Sequence, residues 1–122
     1  MMYTSNFFDE GGATLEAMKV KFKEYEKKFK ALADEKRLEI MYELSEKGET
    51  CVCELTECFG ISQSKLSYHL KILFDAGFIT KETRGTWSYY DINEEEVNRI
   101  LSEELRHLFR KTEKKATNYS CC

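Results

Sequence analysis

The stretch Cys51–Leu73, CVCELTECFGISQSKLSYHLKIL, constrains the fold of this chain more than any other. It carries the apolar period of a short helix, then one glycine, then the period of a longer helix. Cys53 stands where an N-cap would stand before Glu54–Phe59, and Gly60 closes that helix. Ser62 is placed to cap a second helix over Gln63–Ala76, with Leu66, Leu70 and Leu73 as its buried stripe. Two helices joined by so tight a turn predict a helix-turn-helix.

The flanking segments extend this unit. Phe78–Thr83 and Thr86–Ile92 are rich in Thr, Tyr, Trp and Ile, and the two-residue link Arg84-Gly85 has hairpin length, so a β-hairpin wing is expected after the second helix. Upstream, Asp34 caps a helix expected over Glu35–Glu46, with Leu38, Met41, Tyr42 and Leu44 turned inward and Gly48 at its end. Glu49–Val52 reads as a short extended link. Before that, Leu15, Met18, Phe22, Tyr25, Phe29 and Leu32 repeat at spacings of three and four. This is a heptad stripe, backed by a polar face of Lys19, Lys21, Lys23, Lys27 and Lys28. At the other end Val97, Ile100, Leu101, Leu105, Leu108 and Phe109 mark one more amphipathic helix from Glu94 to about Lys114. Both outer stripes are longer than a small core needs, which predicts a homodimer through the first and last helices.

The expected fold is therefore mainly α with a β-hairpin wing, a winged helix-turn-helix of order ααααββα. It occupies residues 13–115, between a loose N-terminal tail (1–12) and a cysteine-bearing C-terminal tail (116–122). A chain of 122 residues makes one such domain. No apolar run is long enough to span a membrane, and the N-terminus MMYTSNFFDEGG lacks the pattern of a signal peptide, so a cytoplasmic protein is expected.

The net charge of -3 argues against a generic polyanion binder, but the charge is unevenly placed. No acid occurs between Glu57 and Asp75, while Lys65, His69 and Lys71 fall inside that gap and Lys81 and Arg84 follow it. A recognition helix meets base edges with its N-terminal residues, here Ser62, Gln63, Ser64, Lys65, Ser67, Tyr68 and His69, with Lys71 one turn further on. Glutamine pairs with adenine, serine with several bases, and lysine with guanine or phosphate. Arg84 at the hairpin tip is a candidate for phosphate or the minor groove. Double-stranded operator DNA is the expected partner, and no enzyme chemistry is indicated.

The five cysteines are clustered, as metal ligands or redox thiols are, rather than spread as in a disulfide framework. Val52 should point inward, leaving Cys51 and Cys53 facing out at the foot of a helix, where the helix N-terminus and nearby lysines favour thiolate. Thiolates alone suit soft ions: As(III), Sb(III), Cd(II) or Pb(II). A third sulfur can come from Cys58, five residues along the helix and so about 140° away from Cys53, or from Cys121 or Cys122 in the tail. A poorer oxygen and nitrogen set for zinc is Asp91, Asn93, Glu104 and His107. The rival uses of the same cysteines are a thiol-redox sensor on this fold and plain metal sequestration. A thiol oxidoreductase would need a CxxC motif, which is absent.

KALADEKRLEIMYEL, ETCVCELTECFGISQSKLSYHLKILFDAGFI and RGTWSYYDI together resemble the ArsR/SmtB family of winged-helix repressors, over roughly residues 25–105. The CVC element resembles the inducer site of the arsenical-resistance repressors in that family. The resemblance implies a homodimer that blocks transcription of a resistance operon until a metalloid such as As(III) or Sb(III) binds its thiols. It matches Cys51 and Cys53 to the inducer cysteines and Gln63, Ser64, Ser67 and His69 to the recognition pattern. Three departures stand out. Thr56 occupies the place of the third cysteine of many arsenic sensors, the N-terminus lacks the cysteines of lead and cadmium sensors, and Asn93 and Glu104 stand at histidine positions of the zinc sensors.

Overall fold

The computed structural model describes residues 14–110, in the order α1 (Leu15–Leu32), α2 (Glu35–Lys47), β1 (Thr50–Cys51), α3 (Val52–Phe59), α4 (Gln63–Asp75), β2 (Ile79–Arg84), β3 (Trp87–Ile92), α5 (Glu94–Ile100) and α6 (Glu103–Leu108). The tails expected at 1–12 and 116–122 lie outside the described residues. Short polar side chains start the helices by accepting otherwise unpaired backbone N–H groups. Thr14 accepts from Ala17, Asp34 from Arg37, Ser62 from Lys65 and Asn93 from Glu96.

Three antiparallel strands form one small sheet in the order β1-β3-β2. The wing is the β2–β3 hairpin, in register from Ile79↔Ile92 to Arg84↔Trp87. Its two turn residues are thus Gly85 and Thr86, one position later than the sequence placed them. Gly85 has φ +65° and, among the described residues, no non-glycine residue has positive φ, which is the pattern of a type II′ turn with glycine first. The supposed link before α3 is itself a strand: Thr50 pairs with Tyr90 and Cys51 with Tyr89.

The core lies where α2, α3, α4 and the sheet meet. Ile40, Met41, Leu44, Leu55, Leu66, Leu70, Leu73 and Phe78 are completely buried, each contributing on the order of 1.5–3 kcal/mol of apolar burial. Leu38 and Tyr42, expected inside, sit at the surface of α2, because Ile40 and Leu44 take the inward positions.

The helix expected from Glu94 to about Lys114 is broken after Ile100. Leu101 adopts extended backbone (ψ 152°) and is buried, and Ser102 begins α6. Leu101 and Phe109 are both buried against the core across this break.

Apart from Leu32, which packs against the core, the long stripe on α1 is largely uncovered among the described residues. Leu15 is 64% exposed, Phe22 55% and Phe29 60%, and Leu105 and Leu108 on α6 are likewise open. The residues α1 does bury are Lys28 and Ala31, on its other side, so Lys28 belongs to the interior and not to the solvated lysine face.

Candidate functional site

The thiol pair is brought together by two elements. β1 ends at Cys51, held edge-to-edge on β3, and α3 starts at the next residue. Cys51, not Cys53, is the N-cap: its Sγ accepts from the Cys53 N–H at 3.3 Å. The two sulfurs are 2.6 Å apart, beyond the roughly 2.03–2.05 Å of a disulfide bond, and both are free. Cys51 is buried at 9% exposure and Cys53 is exposed, so the expectation that both face outward holds only for Cys53. Strand pairing turns Cys51 inward, while Val52 and Leu55 root α3 in the core.

The pair also overturns the expected acidity at Cys53. The hydrogen bond between the two sulfurs pushes the Cys53 thiol up, with burial and the charge of its neighbour adding to this and the backbone N–H groups of Glu54 and Cys53 opposing it. Two adjacent thiols share a proton readily and lose the second reluctantly. An electrophilic soft ion that replaces that proton relieves the conflict.

Cys58 does not join them. It lines a separate groove of about 620 Å³ with Leu38, Tyr42, Phe59, Leu105 and Phe109. Among the described residues no three His, Cys, Asp or Glu side chains converge as a metal site. The structure thus brings two sulfurs together, and α3 does not supply a third. Cys121 and Cys122 lie outside the described residues. The oxygen and nitrogen set is also dispersed: Asn93 is consumed as the α5 cap, its amide donating to the Gly77 carbonyl at 2.9 Å, and Asp91 accepts from the Ile92 N–H.

The second surface is α4. Ser62, Gln63, Ser64, Lys65, Ser67, Tyr68 and Lys71 are all exposed, on the side away from Leu66, Leu70 and Leu73. Lys71 pairs with Asp75 at 3.1 Å across one turn, an exposed contact worth about 0.3–0.5 kcal/mol that another anion can displace. Between α4 and the wing lies a groove of about 400 Å³ lined by Gln63, Ser67, Lys71, Lys81 and Ser88, among others. Lys81 and Ser88 were not among the sequence candidates. Alternation along the hairpin was the signal that would have placed Lys81 beside α4.

Two candidates have other partners. His69 is half-buried, and its Nδ1 lies 3.1 Å from Arg37 Nη1. Arginine only donates, so Nδ1 accepts and the imidazole is neutral with its proton on Nε2. Burial pushes the His69 pKa down; Asp34 opposes this, and Arg37, Lys65 and Lys36 add to it. Arg37, missed in the sequence, also donates to the Ala31 carbonyl at 2.8 Å and the Lys30 carbonyl at 3.3 Å. His69 thus anchors α4 to the end of α1. Arg84 is held by Glu49 at 2.8 Å and Glu82 at 3.0 Å and lies over the Tyr89 ring. Because Glu49 immediately precedes β1, Arg84 ties the wing tip to the thiol strand.

Comparison with known proteins agrees with this arrangement. Residues 34–81 match a family model described as bacterial regulatory protein, arsR family. The chain is 73% identical over 89 residues to the arsenical resistance operon repressor of Bacillus subtilis (strain 168), covering 73% of this chain and 85% of that protein. It is 35% identical over 81 residues to a cadmium resistance transcriptional regulatory protein CadC homolog of Staphylococcus aureus, covering 66% and 67%. Among solved structures it is similar to the homodimeric winged helix-turn-helix DNA-binding domain of a possible ArsR-family transcriptional regulator from Mycobacterium bovis, with TM-score 0.60, 26% identity and 82% of each chain covered.

Proposed function

The chain belongs to the arsR family of bacterial regulatory proteins, and from that premise we propose that it is an arsenical-resistance repressor whose operator-bound dimer is released when As(III) or Sb(III) binds Cys51 and Cys53. It is a DNA-binding transcriptional repressor of the winged helix-turn-helix class, not an enzyme. No helix among the described residues is long and apolar enough to cross a membrane, in keeping with a cytoplasmic protein.

The observation that carries the proposal is the free thiol pair, 2.6 Å apart, at the junction of β1 and α3. An ion that bonds both sulfurs must spread them and displace the N-cap contact from Cys51 to the Cys53 N–H. That strains the first turn of α3, whose Leu55 is packed in the core with Leu66 and Leu70 of α4. A tilt of α4 then displaces Ser62, Gln63, Ser64, Lys65, Ser67 and Tyr68 from the major groove. The exposed stripes of α1 and α6 supply the dimer seam, setting the two reading helices about 34–36 Å apart. A coupling of about 1–3 kcal/mol between thiol occupancy and operator affinity is typical of such switches. The third sulfur is Cys121 or Cys122 rather than Cys58, which does not converge on the pair. The likeness to a cadmium regulator makes Cd(II) or Pb(II) the alternative inducers, tested together with As(III).

The test is fluorescence anisotropy of the promoter fragment upstream of this chain's own gene, titrated with As(III), Sb(III), Cd(II), Pb(II) and Zn(II). As(III) should release the wild type but not Cys51→Ser or Cys53→Ser, and should release Cys58→Ser fully. The Cys121→Ser/Cys122→Ser variant should need more As(III). Undiminished release of Cys51→Ser would refute the site assignment, and release by diamide alone would establish the redox reading instead.

A further inference from the structure

The C-terminal end of the recognition helix α4 is held by an arrangement the repressor reading does not use. Past Asp75 the chain runs Ala76, Gly77, Phe78, and all three carbonyls are taken by other elements. Lys28 Nζ of α1 donates to Ala76 O at 2.6 Å, Asn93 Nδ2 donates to Gly77 O at 2.9 Å, and the Asn93 N–H donates to Phe78 O at 2.9 Å. The ammonium is itself fixed. It pairs with Glu96 Oε2 at 2.7 Å, lies 5.7 Å from the Phe78 ring centre, and is 7% exposed. Arg99 holds the same carboxylate through two bonds, at 3.2 and 3.0 Å. Burial pushes the Glu96 carboxyl up, but the bonds from Arg99 and Lys28 outweigh this and keep it below its usual range.

Gly77 completes the arrangement. It has φ +91°, a backbone conformation that side-chain-bearing residues rarely adopt, and a Cβ there would meet Lys28 Nζ at 3.4 Å, an ordinary contact, so glycine is required by the turn that brings Ala76 O to the ammonium.

We infer that Lys28 is a positioning residue for DNA reading: it pins the C-terminal end of α4 to α1 and so sets the separation of the two recognition helices in the dimer. The inference rests on the dimeric reading above. α1 carries the exposed apolar stripe on one side and Lys28 on the other, which places this bond directly between the proposed seam and the reading helix. The other pin, Arg37 to His69, holds the middle of α4. Without Lys28 the end of α4 keeps only the Asn93 bonds to Gly77 O and Phe78 O, which hold it to the α5 cap and not to α1, so its placement relative to the seam is loosened. Replacing a buried pair by apolar or neutral groups often leaves stability intact, so orientation is the property the pair contributes.

The experiment uses the full chain and its promoter fragment, with the half-sites located by footprinting and fragments in which one base pair is inserted or deleted between them. Wild type should lose roughly tenfold or more in affinity on either altered fragment, a cost of the order seen for one wrong base pair. Lys28→Met/Glu96→Gln, which leaves no unpaired charge on the pair, should bind the native spacing about tenfold more weakly and distinguish the three fragments by no more than roughly threefold. Dimer content by sedimentation and melting temperature are read alongside, since a merely structural role would move these and not the spacing preference. A dimeric double variant that keeps the wild-type discrimination overturns the inference. If that variant does not assemble, Glu96→Gln alone decides. Discrimination weakened about threefold or more at wild-type dimer content supports the pin, and unchanged discrimination overturns it. A wild type that binds as a monomer, or with no spacing preference, defeats the dimeric reading and this inference with it.

Discussion

Replacing Arg37 by leucine tests whether the join between α1 and α4 is held by that guanidinium. Arg37 is buried, donating to Ala31 O at 2.8 Å, to Lys30 O at 3.3 Å and to His69 Nδ1 at 3.1 Å. The losses are unequal. Lys30 O keeps a partner, because the Ala33 N–H also donates to it. Ala31 O is the buried acceptor that loses a charge-assisted bond, worth roughly 1.5–3 kcal/mol. The half-buried His69 nitrogen loses a bond worth roughly 0.5–1.5 kcal/mol, because water can partly replace it. Leucine returns some apolar contact, so a net destabilisation of about 2–4 kcal/mol is expected. Urea unfolding at fixed protomer concentration should show a lower midpoint with unchanged slope, and the melting temperature should fall by at least about 8 °C. Arg37→Lys should recover less than half of the loss, since one ammonium cannot span three acceptors. A loss below about 0.5 kcal/mol for Arg37→Leu would refute the reasoning, placing the join in the apolar contacts instead.

Three further outcomes follow from the same geometry. The folded His69 pKa is depressed, so the unfolded state binds the proton more readily; stability should fall as pH drops from about 6.5 through the lower folded value, and urea midpoints across that window should lose this component in His69→Gln. Leu55→Ala removes a completely buried side chain from the helix that follows the thiol pair; it should cost roughly 2–5 kcal/mol and weaken As(III)-driven release relative to As(III) binding, measured by paired anisotropy and metalloid titrations. Ser62→Ala removes the cap on Lys65 N–H; it should cost about 1 kcal/mol in thermal unfolding and weaken operator binding even where As(III) is absent.

Much of this protein was legible because its helices announce themselves locally. Asp34, Ser62 and the leucines at 66, 70 and 73 stand where capping and helical period require them, and each was found there. The wing was legible for the same reason, although its turn fell one residue later, since Arg84 and Trp87 pair across Gly85-Thr86. What escaped was decided by partners distant in sequence. Cys51 became a buried cap because β1 pairs with β3, nearly forty residues away. His69 and Arg84 looked like free DNA-reading groups until Arg37, Glu49 and Glu82 were placed beside them. Lys28 looked like one of five solvated lysines on α1.

The sequence by itself determined the first four helices and the hairpin, where the apolar stripes run, and that two thiols adjoin a helix of serine, glutamine and lysine, but not the strand at Thr50–Cys51 or the break at Leu101. Those properties depend on side-chain periodicity and on caps three residues away, which need no knowledge of the rest of the chain. Only the tertiary structure decided which polar groups remain available. A charge or imidazole on a helix face is free or engaged according to what packs against it, and for Lys28, Arg37, His69 and Arg84 those neighbours come from other elements of the fold.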